Sequence, residues 1–234
     1  MTAEQNRRDF IALAAGVTLA ATATDALAQQ QASAPKPQFE IKKLPFDPAK
    51  VKGLSEKLLQ SHWENNYSGA VKRLNAIGAQ LASLDFASAP VFVVNGLKRE
   101  ELIAANSMII HELYFDCLAG EGEPKGALAE QMAKDFGSVA RWQAEFVAIG
   151  KALGGGSGWV LLAWSPRDKR LVNTWAADHT MTLANGRPIL ALDMYEHAYA
   201  MDYGAKAAAY VDAFMQGIRW DTVASRFETY SKQA

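Results

Sequence analysis

Cysteine is almost missing from this chain: Cys117 stands alone among 234 residues. A single thiol excludes an internal disulfide framework and any multi-cysteine zinc or iron–sulfur site. An excess of either charge is missing too, because 24 Lys+Arg against 25 Asp+Glu leave a net of -1. With no basic surplus to neutralise phosphates, a dedicated nucleic-acid binder is disfavoured. Long apolar runs are scarce, and no segment beyond the first 28 residues is apolar enough to span a bilayer. Histidine is limited to 4 positions, so each one carries information. What remains is 50% hydrophobic and 21% charged, a balance that supports a globular core of one large domain or two small ones.

The N-terminus reads as an address. Arg7 and Arg8 precede an Ala/Thr-rich apolar run from Phe10 to Ala23, and Ala26-Leu27-Ala28 offers small residues for cleavage. This pattern resembles a twin-arginine export signal over residues 1–28, and the expected destination is the periplasm. The apolar run is shorter than the roughly 20 residues that span a bilayer, so no membrane association is expected after its removal. Removal takes away two basic and three acidic residues and leaves 22 of each. Residues 29–39 begin with the polar, Pro-containing Gln29–Pro37 and read as a tether.

Two regions follow, 40–121 and 122–234. An extended arm is expected to Leu54, then a long helix that Ser55 caps, running to about Leu84. A second helix is expected from about Lys98 to Leu118, with Asp85–Leu97 as the loop between them; together they form a helical hairpin. The break Glu121–Gly126 precedes two further helices, at Ala127–Phe136 and Ser138–Leu153. Three β-like runs come next, Trp159–Trp164, Leu171–Ala176 and Pro188–Leu192, and two helices close the chain at about Ala205–Gly217 and Asp221–Ser231. The fold class is α+β: an N-terminal helical hairpin packed on a C-terminal α/β domain with a three-stranded antiparallel sheet.

His62 falls on the first helix, His111 on the second, and His197 just past the last strand, four residues after Asp193. Three imidazoles and one carboxylate suit iron or manganese, and zinc accepts similar ligands. By spacing alone these residues also read as ordinary helix and loop side chains.

Several blocks carry a closer resemblance: Leu44-Pro-Phe-Asp-Pro48, Lys134-Asp-Phe-Gly-Ser138, Gly156-Ser-Gly-Trp159, Leu192-Asp-Met-Tyr-Glu-His-Ala-Tyr199, Tyr210-Val-Asp-Ala-Phe214 and Trp220-Asp221. In this order, over roughly residues 40–230, the chain is similar to the iron/manganese superoxide dismutase family. The resemblance implies one iron or manganese ion per subunit, held by His62, His111, Asp193 and His197. It implies conversion of superoxide and protons into oxygen and hydrogen peroxide by one-electron cycling, which zinc does not support. It also implies a homodimer through the Glu196/His197 region.

The surroundings of that ligand set depart from the family. Where the family has a second histidine and a tyrosine on the first helix, this chain has Asn66 and Ala70, and a tyrosine of the dimer bridge is Ala200. The family's glutamine positions fall on Ser107 and near Ala177, so His179, two residues on, is the expected partner of metal-bound solvent and the candidate catalytic residue. Tyr195 replaces the signature tryptophan, while Trp159, expected beside the metal, and Glu196 are kept. These departures leave a second function open: a metal-binding protein of this fold with little or no dismutase activity.

Overall fold

A computed structural model describes residues 38–233. The segment 1–28, expected to be a twin-arginine signal, and the expected tether up to Pro37 lie outside the described residues. The arm from Gln38 is extended, as expected, but includes a short 3-10 turn at Pro48–Lys50, which Asp47 caps by accepting from the Ala49 N–H. The arm is fastened to the first helix: Asn75 accepts from the Phe39 N–H and donates to its carbonyl.

Ser55 accepts from the Leu58 N–H and starts α1 (Glu56–Ser61). One wide π turn, His62–Tyr67, continues the rod into α2 (Ser68–Ser83). This turn was not anticipated. It moves the register by one residue, buries His62 and Tyr67 together, and leaves the Ser68 hydroxyl to donate to the Trp63 carbonyl at 2.9 Å.

Helix α3 runs from Val91 to Asp116. The expected loop Asp85–Leu97 is therefore corrected: only 84–90 is irregular, and Pro90 precedes the first helical turn. The extra turns were hidden because Val91 and Phe92 stay exposed, so no core-facing stripe marks them. Helices α4 (Gly126–Phe136) and α5 (Val139–Ala152) follow, with Gly137 in the left-handed conformation between them and Ser138 capping the second.

Strands β1 (Trp159–Ser165), β2 (Arg170–Ala176) and β3 (Arg187–Asp193) form one antiparallel sheet in the order β2-β1-β3. β1 is central and buried along its whole length, which explains its unbroken apolar run. Its register pairs Trp159 with both Ala176 and Asp193, bringing the ends of all three strands to one edge. A 3-10 turn at Glu196–Ala198 and the short helix α6 (Ala200–Tyr203) lead to α7 (Ala207–Gln216) and α8 (Trp220–Lys232).

The core is continuous between hairpin and sheet. Leu58, Leu59, Trp159, Leu192, Tyr210 and Val211 are fully buried within it. Each such side chain contributes about 1.5–3 kcal/mol, so the hairpin cannot leave the sheet cheaply. No helix among the described residues is long and apolar enough to cross a membrane.

Candidate metal centre

Four residues from four separate places in the chain meet where the hairpin joins the sheet. His62 opens the π turn, His111 lies on α3 one turn from its end, Asp193 ends β3, and His197 sits on the 3-10 turn that follows. Their ligand atoms all lie within 4.8 Å of one another. Asp193 Oδ2 is the common point, 3.1 Å from His62 Nε2, 3.2 Å from His197 Nε2 and 3.5 Å from His111 Nε2.

Each group is held from behind. The Tyr195 backbone N–H donates to Asp193 Oδ1 at 2.9 Å, which leaves Oδ2 to face the imidazoles. His111 Nδ1–H donates to the Ser107 carbonyl at 2.6 Å, so the lone pair of His111 is on Nε2 and points into the cluster. That Nε2 atom, buried, finds no hydrogen-bond partner, and neither does His62 Nδ1. The rings of Tyr114 and Phe115 pack 5.2 and 5.0 Å from His62.

The charge states match the geometry. Burial pushes the His62 imidazole below its ordinary value despite the opposing pull of Asp193. Burial, helped by His62, pushes His111 down to about 3. Burial alone works to raise Asp193, but hydrogen bonds with His197 and His62 outweigh it and hold the carboxyl well below the usual carboxylate range. The result is an ionised carboxylate beside two buried imidazoles, His62 and His111, that resist protonation.

This arrangement fits a single metal ion. Ligand bonds of about 2 Å place neighbouring donor atoms about 3 to 4 Å apart, the spacing seen around Asp193 Oδ2. Three imidazole nitrogens and one carboxylate oxygen suit iron or manganese. An unpartnered nitrogen in the interior is otherwise costly.

A cleft of about 290 Å³ leads to the cluster, with Asn66, Ala70, Ser107, His111, His179 and His197 in its walls. His179, on the 177–186 connection between β2 and β3, accepts at Nδ1 from the Trp159 indole N–H at 3.0 Å. Its carbonyl accepts from the Asn106 side chain, and burial pushes its imidazole below the ordinary value. Tyr195 lies between two of the imidazoles, stacked on His179 at 4.8 Å and on His197 at 5.3 Å. Trp159 is fully buried and meets His111 edge-on at 5.1 Å. Glu196 is exposed on the single chain. Sequence reasoning missed Arg73, Asn65 and Ile103 in the cleft walls. Asn65 is the neighbour of Asn66, Arg73 lies two turns beyond it and Ile103 one turn before Ser107, and these spacings are the signal that was available.

The fold and the site define a protein with one buried cluster of three imidazoles and a carboxylate that could hold a metal ion, between a helical hairpin and a three-stranded sheet. Residues 124–226 match the model for the C-terminal domain of iron/manganese superoxide dismutases. An iron superoxide dismutase of Cupriavidus metallidurans is 70% identical over 189 residues, covering 81% of this chain and 96% of that one. The manganese superoxide dismutase 2 of Halobacterium salinarum is 35% identical, covering 82% and 96% respectively. An iron superoxide dismutase of Aquifex aeolicus is 35% identical, covering 79% and 89%. The chain belongs to the iron/manganese superoxide dismutase family.

Proposed function

We propose that this protein is a superoxide dismutase, with one iron or manganese ion per subunit held by His62, His111, Asp193 and His197. The carrying observation is the meeting of three imidazole Nε2 atoms at one buried Asp193 oxygen, in a chain 70% identical to an iron superoxide dismutase. That relative favours iron as the resident ion. Held by these four residues, such an ion would supply one-electron cycling, by which one superoxide is oxidised to oxygen and a second, with two protons, is reduced to hydrogen peroxide.

The chain's own residues orient and supply protons. Asp193 stays ionised and burial disfavours the charged forms of His62 and His111, so fewer protons compete with a cation at the cluster. Trp159 occupies His179 Nδ1, which puts the proton of the neutral ring on Nε2. In this reading His179 Nε2–H is the donor to solvent in the cleft. Ala70 has no proton to give, so delivery depends on His179 and on water held near Asn66 and Ser107.

The test is superoxide decay measured with metal-loaded protein and with His111→Ala. Rapid decay that the substitution abolishes supports the dismutase; equal decay in both discards the catalytic assignment. One observation favours a second reading, a metal-binding protein without dismutation: the methyl of Ala70 lines the cleft where the family resemblance led us to expect a tyrosine. Stoichiometric metal with no superoxide decay selects it.

Export by the twin-arginine route to the periplasm belongs to the same proposal, supported by Arg7, Arg8 and the small residues at 26–28. Superoxide is an anion that crosses lipid poorly, so superoxide formed outside the inner membrane is handled there. A mature periplasmic protein beginning near Gln29 is the expected result of N-terminal sequencing. A homodimer is proposed through the exposed Glu196 and neighbouring His197, with a boundary between the two regions of each subunit near residue 121. Sedimentation of wild type against Glu196→Ala tests it: the wild type runs as a dimer and the variant dissociates more readily.

A further inference from the structure

We infer that Pro35-Lys36-Pro37, the residues just before the described chain, seat in an apolar groove of the helical hairpin and close it as a strap. The inference is independent of the metal centre and of the dismutase reading. The groove runs between α2 and α3 and has a volume of about 670 Å³, space for about twenty water molecules at about 30 Å³ each. Leu74, Gly78, Ala79 and Ala82 form one wall, and Leu102 and Ala105 belong to the other. Leu102 is 48% exposed, and apolar surface of this kind gains by being covered.

The course of the arm says what covers it. Gln38 and Phe39, where the described chain begins, themselves line the groove. Phe39 is held at Asn75 by two hydrogen bonds, of 2.8 and 2.9 Å. Further along, the Lys42 N–H donates to the Tyr67 hydroxyl and the Lys42 carbonyl accepts from the Trp63 indole, each at 2.9 Å. From Phe39 to Lys42 the arm therefore descends the first helical rod, against its chain direction. Traced backwards from Phe39, the same course climbs α2 from Asn75, past Gly78 and Ala79, to Ala82.

Length and composition fit that course. From Asn75 to Ala82 the helix rises about 10 Å, which an extended chain covers in about three residues. Lys36 then comes level with Ala82. Pro35 and Pro37 favour an extended, polyproline-type path and bring no N–H groups that apolar walls would leave unpaired. Lys36 is the only charged residue in Gln29–Pro37. Its methylene stem can cover the wall while the ammonium stays at the rim. The ammonium of Lys98 in the groove wall is paired with Glu101, so Lys36 meets no uncompensated like charge there.

The experiment takes the chain from Gln29, the start proposed for the exported protein, and compares it with a chain beginning at Gln38. At equal metal content the shorter chain is expected to unfold about 3 °C lower. Disulfide trapping then locates the segment. Lys36→Cys is combined in turn with Ala82→Cys, in the groove, and with Gln80→Cys, which is exposed and on the opposite side of the helix. Native Cys117 is fully buried and does not compete. A disulfide needs Cα atoms within about 7 Å, so the 36–82 pair is expected to close about tenfold faster than the 36–80 pair. Selective closure within one chain, together with the lower midpoint of the shorter chain, supports the strap. Equal rates for the two pairs, or an unchanged midpoint, overturn it. A crosslink between two chains overturns it as well, because a second copy then occupies the groove.

Discussion

The indole N–H of Trp159 donates to Nδ1 of His179 across 3.0 Å. This one bond decides which nitrogen of a neutral ring carries the proton, since a nitrogen that accepts cannot also hold a hydrogen. His179 is further clamped by the stacked Tyr195 ring and by Asn106 at its carbonyl. The imidazole thus reaches the cleft in one tautomer and one orientation.

Breaking that bond should leave His179 in place with its proton divided between two nitrogens. Trp159→Phe is expected to lower superoxide turnover about tenfold, and His179→Ala about a hundredfold, the range for a lost proton donor. Both are expected to retain metal. Equal turnover in His179→Ala and wild type removes His179 from the mechanism. Full turnover in Trp159→Phe removes the positioning role of the indole.

Loss of one member of the cluster leaves a buried set without enough donors. His111→Ala and Asp193→Asn are each expected to weaken metal affinity at least a hundredfold, beyond the 10–100-fold typical of residues that merely support ligands. Elemental analysis after dialysis against a chelator measures this. A wild-type metal content in either variant contradicts the assignment of that ligand.

The four-residue site was legible only in part. The scarcity of histidine drew attention to His62, His111 and His197, but the set with Asp193 came only from the family resemblance, most specifically that of the Leu192–Tyr199 block. Periodicity alone gave no reason for residues 131 positions apart, such as His62 and Asp193, to touch. That contact depends on the pairing of β1 with β3 and on the π turn, and a π turn leaves no composition signal that a helical stripe does not. The start of α3 was misread for the converse reason: Val91 and Phe92 are apolar but exposed, so pattern and burial disagree there. The β strands were read closely because β1 is apolar from Trp159 to Trp164 and the turn at 166–169 is marked by Arg167, Asp168 and Lys169.

Acid should destabilise the metal-free protein well above the ordinary carboxylate range. An unfolded histidine takes its proton near 6.5, whereas His62, His111 and His179 in the folded chain resist it because of burial. As pH falls below 6.5 the unfolded chain therefore binds more protons than the folded one, and stability drops. Asp193 adds a further loss with the same sign below its own ordinary value of 3.8. With its folded value near 3, His111 alone costs about 2 kcal/mol at pH 5. Urea midpoints of the metal-free protein should be level above pH 7 and fall steadily from pH 6.5 to 5. A flat profile over that window shows that these imidazoles are not buried neutral. Metal loading should steepen the loss, because protons then also compete with the ion.

Gly158 carries the strictest backbone demand next to the site. Its φ of +134° is one that side chains rarely adopt, and a Cβ placed there would lie 2.1 Å from the Ala176 carbonyl oxygen. The clash is with backbone, so no rotamer relieves it. The same residue's carbonyl accepts from the Met194 N–H at 2.9 Å, which ties the start of β1 to the residue after Asp193. Gly158→Ala must therefore either shift β2 away from β1 or pull Trp159 and Asp193 out of line. The expected cost is about 3 kcal/mol or more, read as a lower urea midpoint, together with reduced metal content. Gly96 is the control: it lies within α3 and a Cβ there meets nothing within 4 Å. Gly96→Ala should stabilise by about 0.5–1 kcal/mol through helix propensity and leave metal content unchanged. If Gly158→Ala matches Gly96→Ala in both measurements, the close approach of β1 and β2 at Gly158 is not what aligns Trp159 and Asp193.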